Sequence, residues 1–182
     1  TFLVVDAHGD IGASAGGPDG LFHNDTRFLS RFEVLINGMQ LLLLGSNLRD
    51  DNAMLKVDLT NPDFYSEKRL ALEKDTLHIL RTVFLWRDTV YQRFGLRNYG
   101  DRPIDVQMAI LFANDFADLF EVRGTRRERR GTTTVQLRGG DQVLGRLNTG
   151  INDFSEQLSR NRLLGAALNG EDGVDKKDLV RR

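Results

Sequence analysis

The strongest regularity in the chain is a period of two. Ile104, Val106, Met108, Ile110 and Phe112 fall on one face of an extended segment, with Asp105 and Gln107 opposite. That alternation is the signature of a strand with one buried face. Phe28, Phe32, Val34 and Ile36 repeat it against Arg31, Glu33 and Asn37. Residues 77–86 carry apolar side chains on both faces, as a strand between two packed layers would. Asn37-Gly38, between Ile36 and the apolar run 39–44, is a strong two-residue hairpin signal because both positions want positive φ. Arg87-Asp88 is expected to turn 77–86 back into 89–96, and Pro103 stands at the start of the strand 104–112. Further strands are expected at 2–6, 53–59, 132–137 and 142–147.

Short strands separated by frequent turns predict an all-β fold, a mostly antiparallel β-sandwich over residues 1–147. The C-terminal part reads differently. Asp153 is placed to cap a helix over 151–168, with Phe154, Leu158, Leu163 and Leu164 as a partial apolar stripe. Residues 148–182 are therefore expected to be a short helical linker segment followed by a polar tail. The chain opens at Thr1 directly into Phe2-Leu3-Val4-Val5 without the pattern of a secretory leader, and the expectation is a segment of a longer protein.

Composition narrows the chemistry. With no cysteine among 182 residues there is no disulfide framework and no thiolate nucleophile, and a cytoplasmic location is expected. The net charge of −1 gives no global field for nucleic acid or an anionic membrane. No apolar run approaches the roughly 18–20 residues of a membrane helix.

The candidate chemistry is sparse. Asp115, Asp118 and Glu121 cluster, but a strand-end turn capped by aspartate is favoured over a pair of catalytic carboxylates. Asp51-Asn52 reads as an Asx-type turn. In an extended segment His23 and Asp25 would share a face, yet no third ligand lies nearby, so no metal and no cofactor are expected. Residues 12–20 match no phosphate-binding spacing and read as a loop. Arg126, Arg127, Arg129 and Arg130 are interrupted by Glu128 and lack interleaved aromatic residues, which argues for a charged loop. Trp86, Tyr91 and Tyr99 could stack on sugar rings or serve as core and cross-strand partners.

Several segments together carry a resemblance. Gly20-Leu21-Phe22-His23-Asn24-Asp25-Thr26-Arg27-Phe28-Leu29-Ser30-Arg31, Asp50-Asp51-Asn52-Ala53, Val57-Asp58-Leu59-Thr60-Asn61-Pro62 and Asp75-Thr76-Leu77-His78 follow one another in order. Leu96-Arg97-Asn98-Tyr99-Gly100-Asp101 and Phe116-Ala117-Asp118-Leu119-Phe120-Glu121-Val122-Arg123-Gly124 complete the set. Over about residues 2–138 the chain resembles the glycogen debranching enzyme N-terminal domain of bacterial amylo-α-1,6-glucosidase-like proteins. The resemblance implies a non-catalytic β-sandwich packed on an (α/α)6 catalytic domain, which would be its partner, with α-glucan as a second partner. It carries over no catalytic residue, because the family's catalytic acids lie in that barrel.

His23, Asp25, Thr26, Arg27, Asp51, Asn52, Trp86, Tyr91 and Tyr99 are the resulting candidates for interdomain or sugar contacts. A stand-alone carbohydrate-binding module is the alternative. Catalysis by the sandwich itself would call on His23, His78 and Glu121 and ranks last.

Overall fold

The computed structural model describes residues 1–12, 17–127, 131–138, 142–148, 159–162 and 167–168. Among them the strands, in chain order, are β1 (Phe2–Val4), β2 (Gly20–His23), β3 (Thr26–Leu29), β4 (Arg31–Ile36), β5 (Met39–Gln40), β6 (Leu42–Leu48), β7 (Met54–Thr60) and β8 (Phe64–Ser66). They continue with β9 (Arg69–Leu72), β10 (Leu77–Trp86), β11 (Thr89–Asn98), β12 (Met108–Ala113), β13 (Thr132–Arg138), β14 (Gln142–Asn148), β15 (Ser159–Arg162) and β16 (Ala167–Leu168). One helical turn, α1 (Leu119–Val122), lies between β12 and β13. The described residues are therefore mostly antiparallel β-sheet with almost no helix. The sheets run β1-β2-β3, β16-β11-β10-β7-β6, β12-β4-β5, β13-β14-β15 and β8-β9, and β16 is parallel to β11.

Two compact units are drawn from interleaved stretches of chain. One comprises Thr1–Val5, Ile11–Glu33 and Phe112–Leu163, the other Asp6–Asp10, Val34–Leu111 and Leu164–Arg182. The first unit buries Ile11, Phe22, Phe28, Leu29, Phe116 and Ala117. Phe28 meets Phe116 edge-on at 5.7 Å, and Phe2 stacks on Phe22 at 4.8 Å.

In the second unit the five-stranded sheet sets the core. Alternation along β7, β10 and β11 places Val57, Leu59, Leu77, Ile79, Val83, Phe94 and Leu96 on one face, all buried. The expectation that β10 is covered on both faces is corrected here. Its other face leaves Leu80 40% and Trp86 55% exposed, because that side of the sheet has no second layer among the described residues.

The hairpins follow their turn residues. Asn37 and Gly38 take φ of 49° and 75° and join Ile36 to Met39, as the Asn-Gly pair predicts. Arg87 and Asp88, at 45° and 61°, join Trp86 to Thr89. Sequence reading did not find β2, β8 or β9. Glu67 and Lys68 close the β8–β9 hairpin at φ of 49° and 65°, a left-handed conformation that their side chains do not advertise.

The alternating run 28–36 breaks at Ser30 into β3 and β4, where the Ser30 amide donates to Ala113. The run 104–112 pairs only from Met108, since Gln107 is tied through its backbone to Asn37. Within the helix expected over 151–168, the described residues are strands: β15 pairs with β14 and β16 with β11. A partial apolar stripe gives a short helix little to bury, whereas an open sheet edge offers backbone hydrogen bonds at once. The rest of 151–168, the tail from 169, residues 13–16 of the glycine-rich loop and Arg129 and Arg130 lie outside the described residues.

Strand β6 ends the order of the five-stranded sheet and exposes Leu42, Leu43, Leu44 and Leu48 at 37–59%. It carries no charged residue.

Candidate functional site

The candidate residues divide between the two units. His23, Asp25, Thr26 and Arg27 belong to the first and form one hairpin tip. Asn24 and Asp25 adopt φ of 44° and 60°, and His23 pairs with Thr26 across them. The extended segment expected here is thus a tight turn, so His23 and Asp25 do not share a strand face. Asn and Asp tolerate the left-handed region better than most residues, and that was the signal available. The Asp25 carbonyl accepts from the Leu119 amide at 3.0 Å, and Thr26 Oγ1 reaches the Asn24 carbonyl at 3.5 Å. His23 Nδ1 lies 2.5 Å from Thr1 Oγ1.

Arg27 organises this unit. Its guanidinium donates Nε to Asp115 Oδ1 at 3.1 Å and Nη2 to Asp115 Oδ2. Nη1 donates to the carbonyls of Gly17 and Asp19, each at 3.2 Å. The planar fork of arginine fits this two-pronged carboxylate contact and still reaches the loop carbonyls. Gly20 makes room for it, because a Cβ there would meet Arg27 Cδ at 2.6 Å.

The three clustered acids each have a local structural partner. Asp115 serves Arg27. Asp118 caps α1 by accepting from the Glu121 amide at 2.8 Å, and Glu121 returns the contact to the Asp118 amide at 3.1 Å. This reciprocal capping box matches the aspartate-capped turn favoured from sequence. The Glu121 amide, helped by Arg127 at 2.6 Å, holds the Asp118 carboxyl below the usual aspartate range.

Asp51, Asn52, Trp86, Tyr91 and Tyr99 belong to the second unit. Asp51 Oδ1 accepts from the Ala53 amide at 3.1 Å and Asn52 takes φ of 55°, the Asx turn expected between β6 and β7. Because Met54 is in register with Phe84, this turn and the Arg87-Asp88 turn close the same end of the sheet. Trp86 stands there with the Arg87 guanidinium over its ring at 4.5 Å, and Phe84 stacks on Tyr91 at 4.8 Å. Tyr99 lies at the opposite end of β11, edge-on to His78 at 6.3 Å and under the Arg97 guanidinium at 4.8 Å. His78 Nε2 is 2.8 Å from Asp58 Oδ1.

Sequence reasoning missed the largest fully buried side chain among the described residues, Arg81. Its side chain is 1% exposed and donates to Asp10 Oδ1 at 2.5 Å, the His8 carbonyl at 2.8 Å and Gln92 Oε1 at 2.9 Å. Asp6 shapes the loop that supplies these acceptors, since its Oδ1 takes the amides of His8 and Asp10 at 2.9 and 2.8 Å. Gly9, at φ +80°, lets the loop lie on the guanidinium; a Cβ would stand 3.2 Å from Arg81 Cζ. Burial pushes the Asp10 carboxyl up despite the opposing pull of Arg81, and burial likewise lowers Arg81. A charged residue in the middle of an apolar alternating strand was the available signal.

Among the described residues no group of three or more His, Asp or Glu is arranged to hold a metal ion. No helix among them is long and apolar enough to cross a membrane. A family model described as the N-terminal domain of (some) glycogen debranching enzymes matches residues 1–159. No curated protein and no solved structure matches the chain.

Proposed function

The chain belongs to the family of N-terminal domains of (some) glycogen debranching enzymes, and from that premise we propose that it is the non-catalytic β domain of a bacterial, cytoplasmic, amylo-α-1,6-glucosidase-like glycoside hydrolase. Its role is to pack on and support an (α/α)6 catalytic domain of the same protein. One observation carries the non-catalytic reading: the acids and histidines that could do chemistry are engaged in holding local structure. Asp115 binds Arg27, Asp118 and Glu121 cap α1, and His78 meets Asp58. A glycosidase acid needs a raised carboxyl beside a second carboxylate at the scissile bond. Asp118 is lowered, and the raised Asp10 is buried against Arg81.

The test is glucose release from an α-1,6-branched limit dextrin by the full-length gene product and by the 182-residue chain. Release by the longer protein alone is expected. Turnover by the chain itself, lost in a His23, His78 and Glu121 triple variant, would overturn the reading.

The exposure of Trp86, 55%, favours a secondary role in holding α-glucan near the Asp51-Asn52 turn. Maltoheptaose should then shift the fluorescence of this single tryptophan by displacing Arg87 from its ring. A silent titration together with calorimetry showing no heat removes that role.

A further inference from the structure

Strand β10 has the sequence of a strand between two layers, yet one of its faces is open. The pairing register lays that open face out in rows across β7, β10 and β11. Met54, Phe84 and Tyr91 form one row, Lys56, Thr82 and Arg93 the next, and Asp58, Leu80 and Gly95 a third. His78 and Arg97 follow.

Apolar and aromatic surface alternates here with positive charge. Lys56, Arg93 and Arg97 are exposed. Neither Lys56 nor Arg93 has an ion pair or side-chain hydrogen bond among the described residues, and Arg97 lies over Tyr99. The one carboxylate in these rows, Asp58, is held by His78. The chain as a whole carries −1, so this is a local excess and not general basicity.

Gly95 adds a shape to the charge. Its backbone does not need glycine, and among the described residues a Cβ would meet only Leu80, at 3.9–4.0 Å, ordinary contact distance. A glycine inside a strand with room for a side chain marks a place where another group comes close. Here it leaves a dip between Arg93 and Arg97, beside the exposed Leu80.

We infer that this face is where the catalytic domain docks, and that the surface it receives is acidic: carboxylates meet Lys56, Arg93 and Arg97 around an apolar side chain that enters the dip at Gly95. The inference rests on the support role proposed above and names the face and the chemistry of the partner. Charge complementarity selects that partner. A neutral glucan leaves the cations unanswered, whereas a carboxylate-bearing protein surface answers both the cations and the apolar rows and fixes the register of docking.

The test is hydroxyl-radical footprinting of the full-length gene product, read by mass spectrometry. Tyr99 is 60% exposed in this chain, close to Tyr65 at 66%. In the full-length protein Tyr99 should oxidise several-fold more slowly than Tyr65. The double variant Lys56→Glu/Arg93→Glu should release that protection, and added salt should weaken it. Gly95→Val suits a strand and has room for its Cβ, so it should leave the fold intact while also releasing protection.

Wild-type oxidation of Tyr99 at the Tyr65 rate overturns the face while leaving the support role standing. Protection that neither charge reversal nor salt alters overturns the acidic partner. A gene product whose intact mass is that of this chain, 20.6 kDa, removes the support role and the docking inference together.

Discussion

Replacing Arg81 with methionine should be the most damaging single change in the five-stranded sheet. Methionine keeps much of the apolar stem but removes the guanidinium from a site where Arg81 is 1% and Asp10 4% exposed. Asp10 is left as a buried carboxylate without its countercharge, and Gln92 Oε1 and the His8 carbonyl each lose a donor. Breaking a buried pair by removing one partner costs about 3–5 kcal/mol. In a chain of this length each kcal/mol shifts the melting temperature by roughly 2–4 °C, so a fall of about 6–20 °C is expected.

The cost should depend on pH with a definite sign. The folded Asp10 carboxyl already sits above 3.8 because it is buried, so its contribution to stability is full below that pH and is lost as pH rises through the folded value. Removing Arg81 deletes the two largest influences that oppose the rise, its charge and its hydrogen bond. The variant should therefore be most impaired near neutrality and recover toward the parent as pH falls toward 3.8. Thermal unfolding followed by circular dichroism across that range measures it. Adding Asp10→Asn should return much of the loss, since no charge is then stranded. A deficit below about 1 kcal/mol, or one indifferent to pH and to Asp10→Asn, would refute the account of this pair.

Three further outcomes follow from the same physics. Asn61, fully buried, accepts from the Leu77 amide at 2.6 Å and donates to the Pro62 and Glu73 carbonyls at 2.8 Å; Asn61→Ala orphans all three and should cost at least about 3 kcal/mol in urea unfolding, at about 1–3 for each unsatisfied group. Arg27→Lys keeps the charge but cannot bond both Asp115 oxygens and two carbonyls at once, so it should lose stability by about 1–3 kcal/mol and speed proteolysis of the Gly17–Asp19 loop. Asp118 has a lowered carboxyl, so its stabilisation is present above pH 3.8 and is lost as pH falls through the folded value. Asp118→Asn, which can still cap, should remove that acid-limb dependence while Asp118→Ala costs about 1 kcal/mol at neutral pH.

What the sequence revealed follows the range of each interaction. Hairpins built on Asn37-Gly38 and Arg87-Asp88, and the capped turn at Asp118, depend on neighbouring residues and were legible. The Glu67-Lys68 turn was not, because neither residue favours left-handed φ, and at Asn24-Asp25 the signal lay only in two residue types that tolerate that region. Arg81 finds Asp10 across 71 residues of sequence, a distance that no local pattern spans. Strand β10 showed that both its faces were apolar, but pattern alone does not say which face this chain covers. The aromatic candidates were named from residue type, whereas Lys56, Arg93 and Gly95 became meaningful only once the register set them in rows beside Leu80 and Phe84.

The leucines of β6 also have a consequence for the behaviour of the chain in concentrated solution. A sheet edge whose outer backbone groups are unpaired among the described residues, and which carries neither lysine nor proline, is a template for any extended segment it meets. Copies of the 182-residue chain held together at high concentration would zip edge to edge there, and loss of material would grow with time and protein concentration. A single gatekeeper, Leu44→Lys at a position 59% exposed, would set an isolated charge on that edge and keep the chains apart.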